Sequence, residues 1–298
     1  MIKKIIRYLK IIFFSVTTSE IFRSFINRRY INSFNSNKKN ILKSDSLYLK
    51  KISDLGYSNC KLKDFFNSNQ IKTINEKALK VKNRLSIAKK ESKFASISNK
   101  NYLIRLLDID QYIDFDDLLV QSVLKGRIHN IARNYLRQDV KITNIDYWLN
   151  FVNPDNKLPI ASQQWHRDYE DKQLLKIFVY FTDVEEVNGP LSFICKTHFG
   201  GIHNSTFKAR PPFGIVISNE KIKKTFDEND IKIFKMKKEE IIFSDTTGFH
   251  KGGHCLTGER FVFTATFTTF AGISKRNFKF KKNSLAKYPS YSVKALSD

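Results

Sequence analysis

With 298 residues, 41% of them hydrophobic and 13% aromatic, the chain can fill the core of one large domain, and 26 phenylalanines supply much of that core. Its formal net charge of +23 is mostly lysine spread along the chain, which argues against nucleic acid as the principal partner and for attraction of anionic small ligands. Cys60, Cys195 and Cys255 are an odd number without paired spacing, so no disulfide framework or thiolate metal site is expected, and a reducing cytoplasm suits them.

Near the start, Ile2, Ile5, Ile6, Leu9, Ile12 and Phe13 recur at helical spacing, with Lys3, Lys4, Arg7 and Lys10 between them. The uninterrupted apolar run 11–14 is too short to cross a bilayer, and no Ala-x-Ala pattern follows it. The expectation is a helix packed on the catalytic domain; the alternative is a basic amphipathic helix making peripheral contact with anionic lipid. Residues 1–60 are read as a basic extension of helix and loop, with 32–40 as loop. From 61 to 136 the pattern is mainly helical. Thr73 and Glu76 have capping-box spacing, and Ala78, Val81, Leu85 and Ala88 carry a helix to about residue 92. A second helix is expected over 115–136, capped by Asp114 or Asp116.

Strand signals begin near Val140 and continue through Tyr147, Trp148 and Leu149. Residues 160–165 read as an extended approach to His166-Arg167-Asp168, followed by a polar loop and a strand over 174–182. In that strand Leu175, Ile177, Val179 and Phe181 share one side, while Lys176, Phe178, Tyr180 and Thr182 share the other. Asn188-Gly189-Pro190 then marks a tight reversal. A later strand, 260–269, splits into Phe261, Phe263, Ala265 and Phe267 against Arg260, Val262, Thr264, Thr266 and Thr268. The greasy faces should pack on helices and the polar ones line a hydrated pocket. Arg260, Thr264, Lys176 and Tyr180 would then face it together, unless Lys176 is only solvated at a strand end. Residues 61–275 form the expected catalytic domain, and 276–298 a basic tail.

His166 and Asp168, at i and i+2 of an extended segment, point to one face. A second imidazole from a distant strand would complete two histidines and a carboxylate on one side of a metal. Such a set leaves coordination positions open, as in non-haem Fe(II) oxygenases. His250 and His254 compete for the third place. His198 reads as a structural hydrogen-bonding residue, and His129 and His203 are expected at the surface.

The order His166-x-Asp168, Asn188-Gly189-Pro190, Asp245-Thr246-x-x-x-His250-x-Gly252 and then Arg260 resembles the phytanoyl-CoA dioxygenase family over about residues 130–272. The resemblance implies a mainly β fold with helices, a double-stranded β-helix of jelly-roll, cupin-like type braced by N-terminal helices. It implies Fe(II), 2-oxoglutarate as co-substrate and O₂. It implies His166, Asp168 and His250 as metal ligands and catalytic residues, since the family's histidine-to-arginine spacing of about ten favours His250. It implies Arg260 as partner of the 2-oxoglutarate C5 carboxylate, with a hydroxyl of the same strand, for which Thr264 is the candidate; the strand alternation adds Lys176 and Tyr180 as candidate contacts. The expected activity is hydroxylation of a small organic substrate, with anionic and lipid-like classes both open. Rival readings are a non-catalytic barrel used as a binding module, and a cupin-type metalloenzyme with another co-substrate.

Overall fold

Two antiparallel sheets pack together in the computed structural model, which describes residues 19–37, 41–90, 101–152, 158–208, 215–281 and 285–297, with the single positions 6, 9, 12, 13 and 16. The larger sheet holds β1 (Tyr57–Lys61), β2 (Leu103–Arg105), β3 (Lys141–Phe151), β5 (Leu174–Tyr180), β9 (Glu240–Ser244) and β11 (Glu259–Thr268), in the order β1-β9-β5-β11-β3-β2. The smaller holds β4 (Trp165–His166), β6 (Leu191–Ile194), β7 (Val216–Ile217), β8 (Ile231–Ile233) and β10 (His250–Gly252), in the order β7-β4-β10-β6-β8. This is the expected mainly β fold with helices, and its two-sheet layout agrees with a double-stranded β-helix.

The alternation along β5 and β11 decides which way each sheet face looks. Phe261, Phe263, Ala265 and Phe267 join Leu175, Ile177, Val179 and Phe181 in the main core, where Leu119, Val123, Ile128 and Ile131 meet them from the helices. Phe178, Tyr180 and Val262, from the opposite faces, pack with Leu191 and Phe193 of β6 between the sheets. A two-residue period puts every second side chain on the same side. Arg260 and Thr266 therefore look away from the helices.

Seven helices are described: α1 (Glu20–Ser36), α2 (Lys43–Leu55), α3 (Ser68–Lys90), α4 (Leu118–Lys125), α5 (Arg127–Leu136), α6 (Asn219–Thr225) and α7 (Ser290–Ala295). Several boundaries differ from the sequence expectation. Residues 32–36 continue α1 instead of starting a loop, because its inner stripe of Arg23, Asn27, Tyr30 and Phe34 is buried and overrides a polar composition. Residues 38–40 lie outside the described set. Helix α3 starts five residues before Thr73: Asn67 and Gln70 exchange reciprocal backbone-to-side-chain hydrogen bonds of 3.0 Å, while Thr73 Oγ1 donates to Asn69 O inside the helix. Its expected end at residue 92 is outside the described residues. The single helix expected over 115–136 is two helices meeting at Gly126, where a Cβ would come within 2.7 Å of Ser122 Cα. Asp117, not Asp114 or Asp116, caps the first, accepting from Leu119 N at 2.8 Å. Residues 161–163 form a 3-10 turn with Ala161 at φ 48°, so the approach to His166 is extended only at its end.

The outer segments also differ. The boundary placed at residue 60 falls inside β1, whose five residues all pair with β9. The helical positions Ile6, Leu9, Ile12, Phe13 and Val16 are each 48–60% exposed, more than a helix packed on the catalytic domain would leave, and Ile2 and Ile5 lie outside the described residues. The C-terminal segment is more than a basic tail: Ala295 and Leu296 enter the main core, and Ser292 Oγ donates to Leu124 O at 2.6 Å. All three cysteines are buried and free, as expected of inert thiols.

The turn at Gly189 (φ 70°) does what its sequence promised, although Asn188 does not share the left-handed conformation. A Cβ at Gly189 would lie 2.3 Å from Gly253 O, in the segment that joins β10 to β11. Gly189→Ala combines that overlap with a disfavoured φ and should cost about 1–3 kcal/mol. Urea denaturation checks this, and an unchanged midpoint would refute it.

His129, expected at the surface, is fully buried; its helix face is the one that α5 turns to the core. Its Nδ1 donates to Val123 O at 2.8 Å, and burial holds its pKa down at about 4. The unfolded ring gains a proton near pH 6.5 while the folded one stays neutral. Its contribution is therefore fully present above pH 6.5 and is lost as pH falls towards 4, at about 1.4 kcal/mol per pH unit. The fall in melting temperature between pH 6.5 and 4.5 should be shallower in His129→Gln, by about one proton's worth of slope. Parallel curves would exclude His129 as a source of acid sensitivity.

Candidate active site

β4 and β10 are neighbours, and their register sets His166 directly opposite His250. Opposed side chains of an antiparallel pair share a face, and here the imidazole centroids are 4.2 Å apart. Asp168 follows two residues after His166, held by its N–H donating to Thr246 O at 2.9 Å. Its carboxylate lies 3.8 Å from His166 Nε2 and 3.6 Å from His250 Nε2. One ligand atom from each residue falls within 4.8 Å of the others. His254 is not part of this group.

Both rings are oriented in the same way. His166 Nδ1 sits 2.8 Å from Gln164 O, and His250 Nδ1 sits 3.0 Å from Gly248 O. A carbonyl only accepts, so each Nδ1 carries a proton, and Nε2 is the ring nitrogen that each histidine turns towards Asp168. Burial, with help from His166, keeps His250 neutral, its pKa lowered to about 3. Burial alone would raise Asp168, but Lys176, His250 and His166 hold it far below the ordinary carboxylate range. Two neutral imidazoles and one carboxylate are the protonation states that a divalent cation requires. The donor set fits iron.

The flanking motif shapes this geometry. Asp245 accepts from Thr247 N at 3.0 Å, Thr247 Oγ1 at 2.7 Å and Tyr135 Oη at 2.7 Å, closing the turn that delivers His250. Burial raises its pKa to about 7. Arg167 ties the two ligand-bearing segments together. Its guanidinium donates to Thr197 O, to Thr247 O at 2.6 Å and to Thr206 O at 3.0 Å, and lies over the Phe249 ring. No sequence signal separated this arginine from a surface one. His198, as expected, is structural: its ring bonds Ser53 O at 3.0 Å. His203 is partly exposed.

The three donors open onto a cavity of about 300 Å³ that also reaches Arg260, Tyr180 and Lys176. Arg260 is buried, and its Nη1 has no hydrogen-bond partner. Burial lowers its pKa. An unpaired buried guanidinium is costly, and this one is aimed where a carboxylate would relieve it. Tyr102, Asn150 and Ser162 surround that end; Tyr102 Oη and Ser162 Oγ are 2.9 Å apart, and Asn150 lies opposite Arg260 across β3 and β11. None of the three was picked out from sequence. Lys176, largely but not fully buried, pairs with the Asp168 carboxylate and lies 3.9 Å from Glu170, so it serves the metal end, not the Arg260 end. Thr264 shares the face but is fully buried and does not line the cavity. A larger groove of about 800 Å³ behind β3 shares no lining residue with this one.

The sequence profile described as phytanoyl-CoA dioxygenase matches residues 57–260, from β1 through Arg260. The chain belongs to the phytanoyl-CoA dioxygenase family. It is an Fe(II)/2-oxoglutarate-dependent dioxygenase, with iron, 2-oxoglutarate and O₂ as its cofactor and co-substrates. No curated protein sequence matches it. Among solved structures, the epimerase SnoN in complex with Fe3+, alpha ketoglutarate and nogalamycin RO is similar, with TM-score 0.52 and 10% identity over 76% of this chain and 83% of that one. EctD from S. alaskensis with bound Fe gives TM-score 0.50 and 17% identity over 87% and 85%. EctD with 2-oxoglutarate and 5-hydroxyectoine gives 0.50 and 16% over 88% and 89%. At such identities the likeness is one of fold. Among the described residues, no helix is long and apolar enough to cross a membrane.

Proposed function

We propose that this dioxygenase hydroxylates a small polar organic molecule. His166, Asp168 and His250 hold the iron, and Arg260 receives the distal carboxylate of 2-oxoglutarate. One observation carries the reading: a facing pair of Nδ1-anchored histidines, an ionised carboxylate and a partnerless buried guanidinium share one cavity. Bound iron supplies O₂ activation coupled to decarboxylation of 2-oxoglutarate.

The chain's own residues do the rest. Arg260 binds and orients the co-substrate through directed, charge-assisted hydrogen bonds, in a wall completed by Tyr102, Asn150 and Ser162. Lys176 holds the Asp168 carboxylate ionised and in place. Asp168 itself favours hydroxylation over halogenation, because a small residue at that position would be needed to admit a halide. The other end of the cavity is lined by Thr143, Asn144, Thr266, Ser274, Lys275 and Asn277. Hydroxyls, amides and an ammonium select a hydrogen-bonding and anionic substrate, and about 300 Å³ leaves little room for a long acyl chain.

Succinate release by the purified chain, supplied with Fe(II), 2-oxoglutarate and O₂, tests the reading when run against a panel of small polar acids and acyl-CoA thioesters. Iron-dependent stimulation by members of the polar set is expected. Turnover that ignores 2-oxoglutarate would favour a cupin-type enzyme with another co-substrate. Stimulation by acyl thioesters alone would overturn the substrate class.

A further inference from the structure

We infer that the outer face of α1, together with the exposed helical positions before it, is a docking surface for an anionic lipid bilayer. Ile6, Leu9, Ile12, Phe13 and Val16 are helical and exposed. At 100° per residue they fall in a stripe about 120° wide, the width of an amphipathic face. In α1, Ile21 and Phe25 are 86% and 78% exposed, one turn apart, and exposed Arg28 and Arg29 follow on the same side.

This exposure is not the looseness of an unanchored helix. The inner face of α1 is fixed: Arg23 pairs with Asp171, Asn27 Oδ1 accepts from Ala271 N at 3.1 Å, and Tyr30 stacks on Phe270 with centroids 3.4 Å apart. Those contacts hold the loop just beyond Asp168 and the segment that leads to Ser274 and Lys275 at the cavity. The fixed helix thus presents large apolar side chains to solvent.

Charge chooses the occupant. Residues 1–40 contain nine Lys or Arg and one acidic residue, Glu20, which is already ion-paired with Lys172. A second copy of the chain would bring these cations against one another. An anionic bilayer takes the apolar stripe into its interface and meets the cations with phosphate.

The test is co-sedimentation of the full chain with vesicles of equimolar phosphatidylglycerol and phosphatidylcholine, against pure phosphatidylcholine. Binding to the anionic vesicles is expected to be roughly tenfold tighter or more, and to weaken by a similar factor between 50 and 500 mM NaCl. Ile21→Ser/Phe25→Ser should reduce binding about tenfold, and Arg28→Gln several-fold. Melting temperatures should not change, because these side chains are exposed. Equal binding to both vesicle types, or none to either, would overturn the proposal. So would a concentration-dependent dimer that the Ile21→Ser/Phe25→Ser variant abolishes, since a second copy would then cover the face.

Discussion

Asp168→Asn should lose Fe(II) affinity by more than about two orders of magnitude, exceeding the roughly 10–100-fold typical of residues that only support a ligand. The substitution keeps the side-chain shape but removes the charge between His166 and His250, so the site becomes two neutral imidazoles. It also leaves the largely buried Lys176 with only Glu170, 3.9 Å away, as an anionic partner. Breaking a fully buried pair costs about 3–5 kcal/mol when one charge is stranded, and this pair, with side chains 15% and 12% exposed, should lose less. A fall in melting temperature should therefore accompany the metal loss, and Asp168→Asn/Lys176→Met should recover part of that fall without recovering iron. His166→Ala and His250→Ala should each lose iron comparably, whereas His254→Ala should not. Anaerobic Fe(II) titration and metal analysis of the folded variants measure these effects. If Asp168→Asn retains iron like the wild type, or His254→Ala loses more than His250→Ala, the donor set is wrong.

The ligand-bearing parts were legible because their chemistry is local in sequence. His166 and Asp168 are two residues apart, and β5 and β11 write their two faces as alternating apolar and polar residues. Where a choice depended on which residue met which across space, the sequence was silent. Asn150 joins the Arg260 end because β3 pairs with β11 in one particular register. Tyr102 and Ser162 come from the turn just before a short edge strand and from a 3-10 turn, neither with periodicity to betray it. Arg167 satisfies main-chain carbonyls from two separate loops, those that follow β6 and β9, a role invisible in the string Trp-His-Arg-Asp. The helix errors have a similar origin. Thr73 and Glu76 have the right spacing for a cap, but the reciprocal pair Asn67 and Gln70 has it too and lies nearer the turn that follows β1.

Arg260→Lys should weaken 2-oxoglutarate binding while leaving Fe(II) affinity nearly intact, and this separates a 2-oxoglutarate site from a generic iron site. Lysine keeps the charge but offers a single ammonium in place of a planar fork, so bidentate pairing with a carboxylate is lost. Arg260→Ala should be more severe, by about 2–5 kcal/mol, since the co-substrate carboxylate would be buried without its partner. The alanine variant should not be grossly unstable. In the protein alone the guanidinium is buried with Nη1 unpartnered, so removing it relieves a desolvated charge even as it leaves a cavity. A small gain or no change in melting temperature, combined with a large loss of co-substrate affinity, is the signature of a residue kept for binding and not for folding. Titrating 2-oxoglutarate into the anaerobic Fe(II) protein and following the visible charge-transfer band reads the affinity directly. Wild-type affinity in both variants would remove Arg260 as the anchor. A large loss of melting temperature in Arg260→Ala, with affinity preserved, would instead assign it to the fold.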